Sequence, residues 1–568
     1  MNKAPTHTPL PKYILSLLLL LLPFLALANY STLPTAISTL HAADGNEKAK
    51  FDSDYIQEYI GNESEYRHQI ELVKQFYKDR NFQLAWFKNN QLVPQAHKLI
   101  QVIDKAHKEG LRAADYNAID LQEMYRAYEA IPASGKTKQQ KKQELDLALT
   151  ASYFNYASDF YKGAVDPHST ASIEWEVKRN KIKLNKALET ILQERESSYP
   201  YYEFEALHEG YLKLRDALVQ YRQIQENGGW PKVEGEGIIK LNDTSAVVLD
   251  VRRRLLPQQQ QVNEQDSARY VYDQQLKDAV TNFQEQHGLV VDGVLGPQTY
   301  KALNVPVEER IDQIVLNMER WRWLPKELDA NGGDNRYVMV NIPAFRVSVM
   351  ENGEEAMRMK AVVGKTMHST PVFSHQIQYL MFAPYWNVPN SIVEQDIKPH
   401  LQNNTNWLES RNMEMVTTFG PNAKRVPVTR VNWNTMTQHN FDYRIRQRPG
   451  PKNSLGRVKF MFPNEQAIYL HDTPANHLFD ERDRDFSHGC VRVERPADLA
   501  TYLLQDKAGW DRSRVQNAMK SRNQQRVDLE ESVPVYLVYF TTWVEDDGTV
   551  HFRDDLYGHD NVLAQQLF

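Results

Sequence analysis

The chain has one cysteine, Cys490, and two imidazoles stand near it in sequence, His471 and His488. A thiol with a pKa of about 8.5 is only a few per cent thiolate at neutral pH, so it needs a base or a positive neighbour to act as a nucleophile. His471 follows the apolar run Ala467 to Leu470, read as a strand and therefore a rigid mount for an imidazole aimed at the thiol. His488 sits in an extended loop and is read as shaping the pocket. Gly489 permits close backbone approach and an unusual φ. The N–H groups of Gly489 and Cys490 are then candidates to receive a developing oxyanion. Two other readings use the same residues. One is an inert, buried thiol. The other is a zinc site of His471, His477, His488 and Cys490. The His471–His477 spacing fits no common zinc motif, and Pro474 interferes with a helical arrangement.

The elements that must hold these residues can be read around them. Pro496, followed by Leu499, Tyr502, Leu503 and Leu504, predicts a supporting helix just after the thiol. From about residue 337 the period is that of strands: 337–342, 345–350, 357–364, 379–383, 458–462, 467–470 and the long run 534–544. Asp547 and Gly548 turn the chain into Val550–Phe552. The fold class predicted for 337–545 is a β-rich, sandwich- or barrel-like catalytic domain, with 546–568 as a C-terminal hairpin and tail. The polar stretch 391–442, with Trp407 and Trp433, is too long for a plain loop at about 50 residues. It is read as an inserted lid subdomain over the site.

Upstream the signal is helical, which makes the whole chain α+β and multidomain. Over 50–235 an all-helical scaffold is expected. Leu99, Val102, Ile103 and Ala106 share a face that Gly110 stops. Residues 145–160 keep a 3-and-4 spacing until Gly163. The basic run Lys136 to Lys142 is read as a solvated helix start. A break at 226–231 precedes a small helical unit over 238–304, with 258–261 as a loop, and a linker helix over 305–336.

A length of 568 residues exceeds one ordinary core and suggests three or four units of roughly 100–200 residues. Composition is globular, with 41% hydrophobic and 25% charged residues. The net charge of −6 argues against general nucleic-acid binding. A single cysteine excludes intrachain disulfides and multi-cysteine metal sites. At the N-terminus, Lys3 and Lys12 precede an apolar run that ends at Ala26, Leu27 and Ala28. This is the layout of a secretory signal peptide cleaved after Ala28, with an uncleaved membrane anchor as the alternative. The expected compartment is the periplasm.

Two segments resemble known families. Phe283, Gln284, Gly288, Leu289, Asp292, Gly293, Gly296, Thr299, Ala302 and Leu303 follow the pattern of the three-helix peptidoglycan-binding module. Ser487 to Arg492, preceded by His471 to Pro474, is similar to the signature of the L,D-transpeptidase (YkuD-type) catalytic domain. Trp386–Pro389, Arg446–Gly450, Asn453–Gly456, Val458–Phe460, Phe462–Asn464 and Arg495–Leu499 extend that likeness. The ensemble resembles the large periplasmic Gram-negative members, which commonly carry arginine at the position of Arg492.

The resemblance implies Cys490 as nucleophile, His471 as general base and then acid, and Ser487, His488 and Gly489 as pocket and oxyanion hole. Arg492 would hold the loop or a substrate carboxylate. Tyr469 and Trp386 would line the groove. Asp472 or a backbone carbonyl would orient His471. The implied partners are peptidoglycan stem peptides, a tetrapeptide donor and a diamino-acid acceptor, with other wall-synthesis enzymes beside them. No metal or other cofactor is required.

Overall fold

The computed structural model describes residues 51–63, 66–132, 136–169, 175–176, 182–193, 208–256, 267–328, 335–420 and 422–568. The expected leader over 1–28 and the loop 258–261 lie outside the described residues. Among the described residues no helix is long and apolar enough to cross a membrane.

The scaffold is mainly but not wholly helical, since Phe87–Lys88 and Gln91–Leu92 form a small antiparallel pair. In α1 (Pro94–Asp104) Leu99, Val102 and Ile103 face the core, and a short turn then runs to Gly110 at φ 69°. The long helix α2 (Lys136–Lys162) differs from the expected one-sided helix, because every residue from Leu145 to Ala157 is buried. A helix enclosed on all sides must satisfy its polar groups internally. The Asp146 carboxylate accepts from the Tyr77 hydroxyl at 2.6 Å and from the N–H groups of Ala85 and Trp86 at 3.0 and 2.8 Å. The basic run is not wholly solvated either. Lys142 is buried, and its Nζ donates to Asn90 Oδ1 at 2.7 Å.

Next come α3 (Glu209–Glu226), then α4 (Val247–Leu255), α5 (Gln274–Gln286) and α6 (Pro297–Leu303) of the small helical unit. That unit has its own core, in which Val248, Val251, Leu276, Val280, Phe283, Leu295 and Leu303 meet. The linker helix α7 (Val307–Arg322) is tied to the scaffold through a buried polar cluster. Glu319 Oε1 accepts from the Val165 N–H at 2.9 Å, and Arg322 donates to Glu319 Oε2 at 3.0 Å and to the Tyr211 hydroxyl at 2.9 Å. Tyr211 in turn donates to Glu109 Oε2 at 2.7 Å. Gly163, at φ 88°, lets the scaffold approach this closely. A Cβ there would lie 2.5 Å from both Glu319 Oε1 and Trp323 Nε1.

The remainder is β-rich. In chain order the strands are β1 (Arg336–Asn341), β2 (Arg346–Glu351), β3 (Glu354–Gly364), β4 (Val372–Phe382), β5 (Trp386–Val388), β6 (Met413–Val416), β7 (Arg444–Gln447), β8 (Val458–Met461), β9 (Leu470–His471), β10 (Asp485–Ser487), β11 (Val491–Val493), β12 (Gln525–Val538), β13 (Thr542–Val544) and β14 (Val550–Phe552). The large sheet runs β8-β9-β11-β3-β2-β1-β12-β4, and β8 also pairs with β4. The sheet therefore returns on itself as a barrel, with β10 parallel to the end of β3. The scaffold residues Trp175–Glu176 pair in parallel with β4.

Three details differ from the sequence reading. The run 534–544 is two strands, because between them the chain is held by side chains. Phe540 N–H donates to Asn341 Oδ1 at 3.0 Å and Thr541 N–H to Asn317 Oδ1 at 2.9 Å. The strand expected over 467–470 is shifted to Leu470–His471, since Ala467 has φ 55° and cannot continue an extended chain. The C-terminal residues are not a peripheral tail. The last helix, α9 (His559–Leu567), which follows α8 (Pro496–Leu503) in this domain, puts Leu563 and Leu567 into the same core as the sheet.

The insertion is a subdomain with its own core of Val388, Val393, Ile397, Leu401, Met415, Trp433 and Ile445. It carries the three-stranded sheet β5-β7-β6, so it begins at Trp386 and ends at Gln447, a few residues outside the expected bounds on each side.

Candidate active site

Strands β9 and β11 are parallel, with Leu470 opposite Val491 and His471 opposite Arg492. Leu470 and Val491 are wholly buried in the barrel core. The two-residue period then sends Tyr469, His471, Cys490 and Arg492 to the other face. On the far side of β9, antiparallel β8 sets Lys459 opposite His471, between the buried Val458 and Phe460. Lys459 joins the same face. These five side chains line one cleft of about 510 Å³, together with Ser487, His488 and, from the insertion, Trp386 and Asp396.

Cys490 is partly buried, and its Sγ lies 3.8 Å from the Ala467 carbonyl oxygen. Burial pushes the thiol up, and Tyr469, Lys459 and Arg492 oppose that shift. His471 is buried, and its Nδ1 lies 2.5 Å from the Asp472 carbonyl oxygen. A carbonyl only accepts, so Nδ1 carries the proton and Nε2 is left as a base. Burial, and then the charges of Arg492 and Lys459, lower this imidazole to about 3, with the Asp472 carbonyl opposing. The Asp472 carboxylate is occupied elsewhere, accepting from the N–H groups of Arg457 and Thr473, each at 2.7 Å. Of the two orienters considered, the backbone carbonyl is the one in place.

Ser487 is buried and fixes the loop from within. Its Oγ donates to the Cys490 carbonyl at 2.6 Å and accepts from the Gly489 N–H at 3.1 Å. Gly489 has φ 109°, and its carbonyl accepts from Thr370 Oγ1 at 2.8 Å. The Gly489 N–H is therefore engaged. Of the pair considered for an oxyanion, Cys490 N–H is the one with no protein acceptor among the described residues.

His488 faces the insertion, its Nε2 4.0 Å from Asp396 Oδ2 and its ring 5.2 Å from that of His368. Arg492 is held below its ordinary range by burial, and its Nε is buried with no hydrogen-bond partner among the described residues. Trp386, paired with Gln447 across β5 and β7, and Tyr469, whose ring lies 5.7 Å from that of His471, both line the cleft. His477 is exposed and does not line the cleft.

Two charged residues of the cleft, Lys459 and Asp396, have no role at the site in the sequence reading. Lys459 lies between two apolar residues, which shows that it faces away from a core. Nothing in the sequence pairs β8 with β9.

Comparison with known proteins bears on this cleft. Residues 335–516 match the model of the L,D-transpeptidase catalytic domain. This segment is an L,D-transpeptidase catalytic domain. Ahead of the L,D-transpeptidase domain, residues 71–218 match a scaffold domain and residues 250–303 a "Putative peptidoglycan binding domain". A "Putative L,D-transpeptidase" of Haemophilus influenzae is 32% identical over 257 residues, 45% of this chain and 50% of that relative. The chain thus matches half the length of that curated relative. A solved L,D-transpeptidase (residues 123–326) from Xylanimonas cellulosilytica covers 54% of this chain and 99% of its own, at 14% identity and a TM-score of 0.17, and nothing below rests on that likeness.

Proposed function

We propose that this protein is an exported, periplasmic peptidoglycan L,D-transpeptidase that makes 3→3 cross-links through a thioester on Cys490. The observation that supports it best is the shared face of β9 and β11, where a lone thiol and an imidazole whose Nδ1 is held by a main-chain carbonyl open onto one cleft.

The donor is a stem tetrapeptide. Cys490 attacks the carbonyl of its third residue while His471 Nε2 takes the thiol proton. The oxyanion that forms is met by the Cys490 N–H. Collapse breaks the peptide bond, and His471 returns the proton to the departing amine of D-Ala. The side-chain amine of a second stem's third residue then gives His471 a proton and attacks the thioester; the carbon–sulfur bond breaks, and His471 passes that proton to the departing Cys490 sulfur. Arg492, whose guanidinium lines the cleft, suits a stem carboxylate. The small helical unit would hold the enzyme on the wall near other wall-synthesis enzymes. Carbapenems would acylate Cys490 by the same route.

Sacculi or purified muropeptides treated with wild type and Cys490→Ala test the assignment. Dimers linked 3→3 from wild type alone support it. Tripeptides alone would make the enzyme an L,D-carboxypeptidase. Binding to sacculi without turnover would leave a scaffold.

A further inference from the structure

The mechanism above leaves one cation of the cleft without a task. Lys459 stands opposite His471 across β8 and β9, and Arg492 stands opposite His471 across β9 and β11. The imidazole is therefore flanked by a cation on each neighbouring strand. The nearest carboxylate in sequence, that of Asp472, is turned to main-chain N–H groups instead. A proton on His471 meets two like charges there, so balancing the thiolate by an imidazolium is disfavoured. The Lys459 ammonium has no hydrogen bond or ion pair among the described residues, and its Nζ rests 3.6 Å from the centroid of the Tyr469 ring. Tyr469 shares its face with Cys490. A cation this enclosed with no counter-charge is costly. The one carboxylate lining the cleft, Asp396, comes from the insertion and faces His488.

We propose that Lys459 is the positioning residue that supplies the counter-charge of the Cys490 thiolate, held in place by its seat on the Tyr469 ring. His471 then carries the thiol proton only while the carbon–sulfur bond forms and hands it to the leaving amine, so the proton balance given above is unchanged. Burial lowers the Lys459 ammonium to about 8 and raises the thiol, and each group's charge opposes the other's shift. The charged and titratable groups around the thiol are Lys459 on β8, Tyr469 and His471 by β9, Arg492 on β11, His488 on the loop and Asp396 from the insertion. The proposal rests on Cys490 being the nucleophile.

The test is the rate of Cys490 alkylation by iodoacetamide against pH, read by intact mass on the full chain. It uses no wall substrate, so its failure is distinct from failure of the transpeptidase assignment. Lys459→Met should raise the midpoint by about one unit, which is about tenfold slower alkylation at pH 7. Lys459→Arg should keep the midpoint within a few tenths. A lysine that only packs would lower the melting temperature and leave the midpoint alone. An unchanged midpoint in folded Lys459→Met overturns the proposal. Lys459→Gln, read the same way, decides the matter if the methionine variant does not fold.

Discussion

His471 donates its Nδ1 proton to the main-chain oxygen of the next residue, Asp472, at 2.5 Å. The orienting group is part of the backbone and cannot be removed by substitution, while the neighbouring carboxylate only braces the turn through Arg457 and Thr473. The two side chains should therefore respond oppositely. His471→Gln should lower turnover by about 10²–10⁴-fold with the fold intact. Asp472→Asn should cost about 1–2 kcal/mol of stability through a weakened turn and leave turnover of the folded protein within about threefold. Steady-state rates and thermal melts on both variants check this.

Arg322 and Glu319 form an ion pair in which both side chains are almost fully buried, and Glu109 lies beside them. Removing one partner strands a buried charge. Arg322→Met should destabilise the protein by about 3–5 kcal/mol, and Arg322→Met with Glu319→Leu should recover part of that loss. Denaturant unfolding measures both. Alkylation of Cys490 in the folded fraction should be unchanged, because the cluster lies at the scaffold junction.

Several imidazoles are held well below their ordinary range, chiefly by desolvation, among them His471 and His559 at about 3 and His208 at about 4. The unfolded chain binds these protons near pH 6.5, so between about 6.5 and 4 it holds more protons than the folded chain. The sign is fixed by that difference. The stability these groups contribute is present above about pH 6.5 and is lost as pH falls, by at most about 1.4 kcal/mol per unit for each group. Melting temperatures from pH 7 to 5 should drop steadily, and His559→Gln should flatten the slope.

Much of this could be read from residue types. Short Val-rich strands, Pro and Gly stops and the cluster around Cys490 mark the barrel, the helices and the thiol site. What sequence does not carry is which strands become neighbours. The two-residue period shows that Lys459 turns away from a core, yet only the pairing of β8 with β9 puts it beside His471. The first half of β12 is hidden for another reason. Asp528, Glu530 and Glu531 break its apolar alternation, and a register shift between Asp528 and Val533 accommodates them against β4. The all-round burial of α2 depends on how many helices surround it, which its own pattern does not state.

Carbapenem acylation tests both the thiol and the insertion. Intact mass should show one adduct on wild type and none on Cys490→Ala. Asp396 lines the cleft from the helical segment 390–403, so a molecule bound at Cys490 touches the insertion. Hydrogen exchange over 390–403 should slow on acylation. Unchanged exchange would count against the insertion acting as a lid.

A peptidoglycan acyl-enzyme on Cys490 can be weighed directly. Wild type and Cys490→Ala are mixed with a stem tetrapeptide, quenched in acid and weighed intact. A transient adduct equal to the tetrapeptide less D-Ala should appear on wild type and be absent from the variant. Release of D-Ala with no adduct at any time, or an equal adduct on Cys490→Ala, would contradict it.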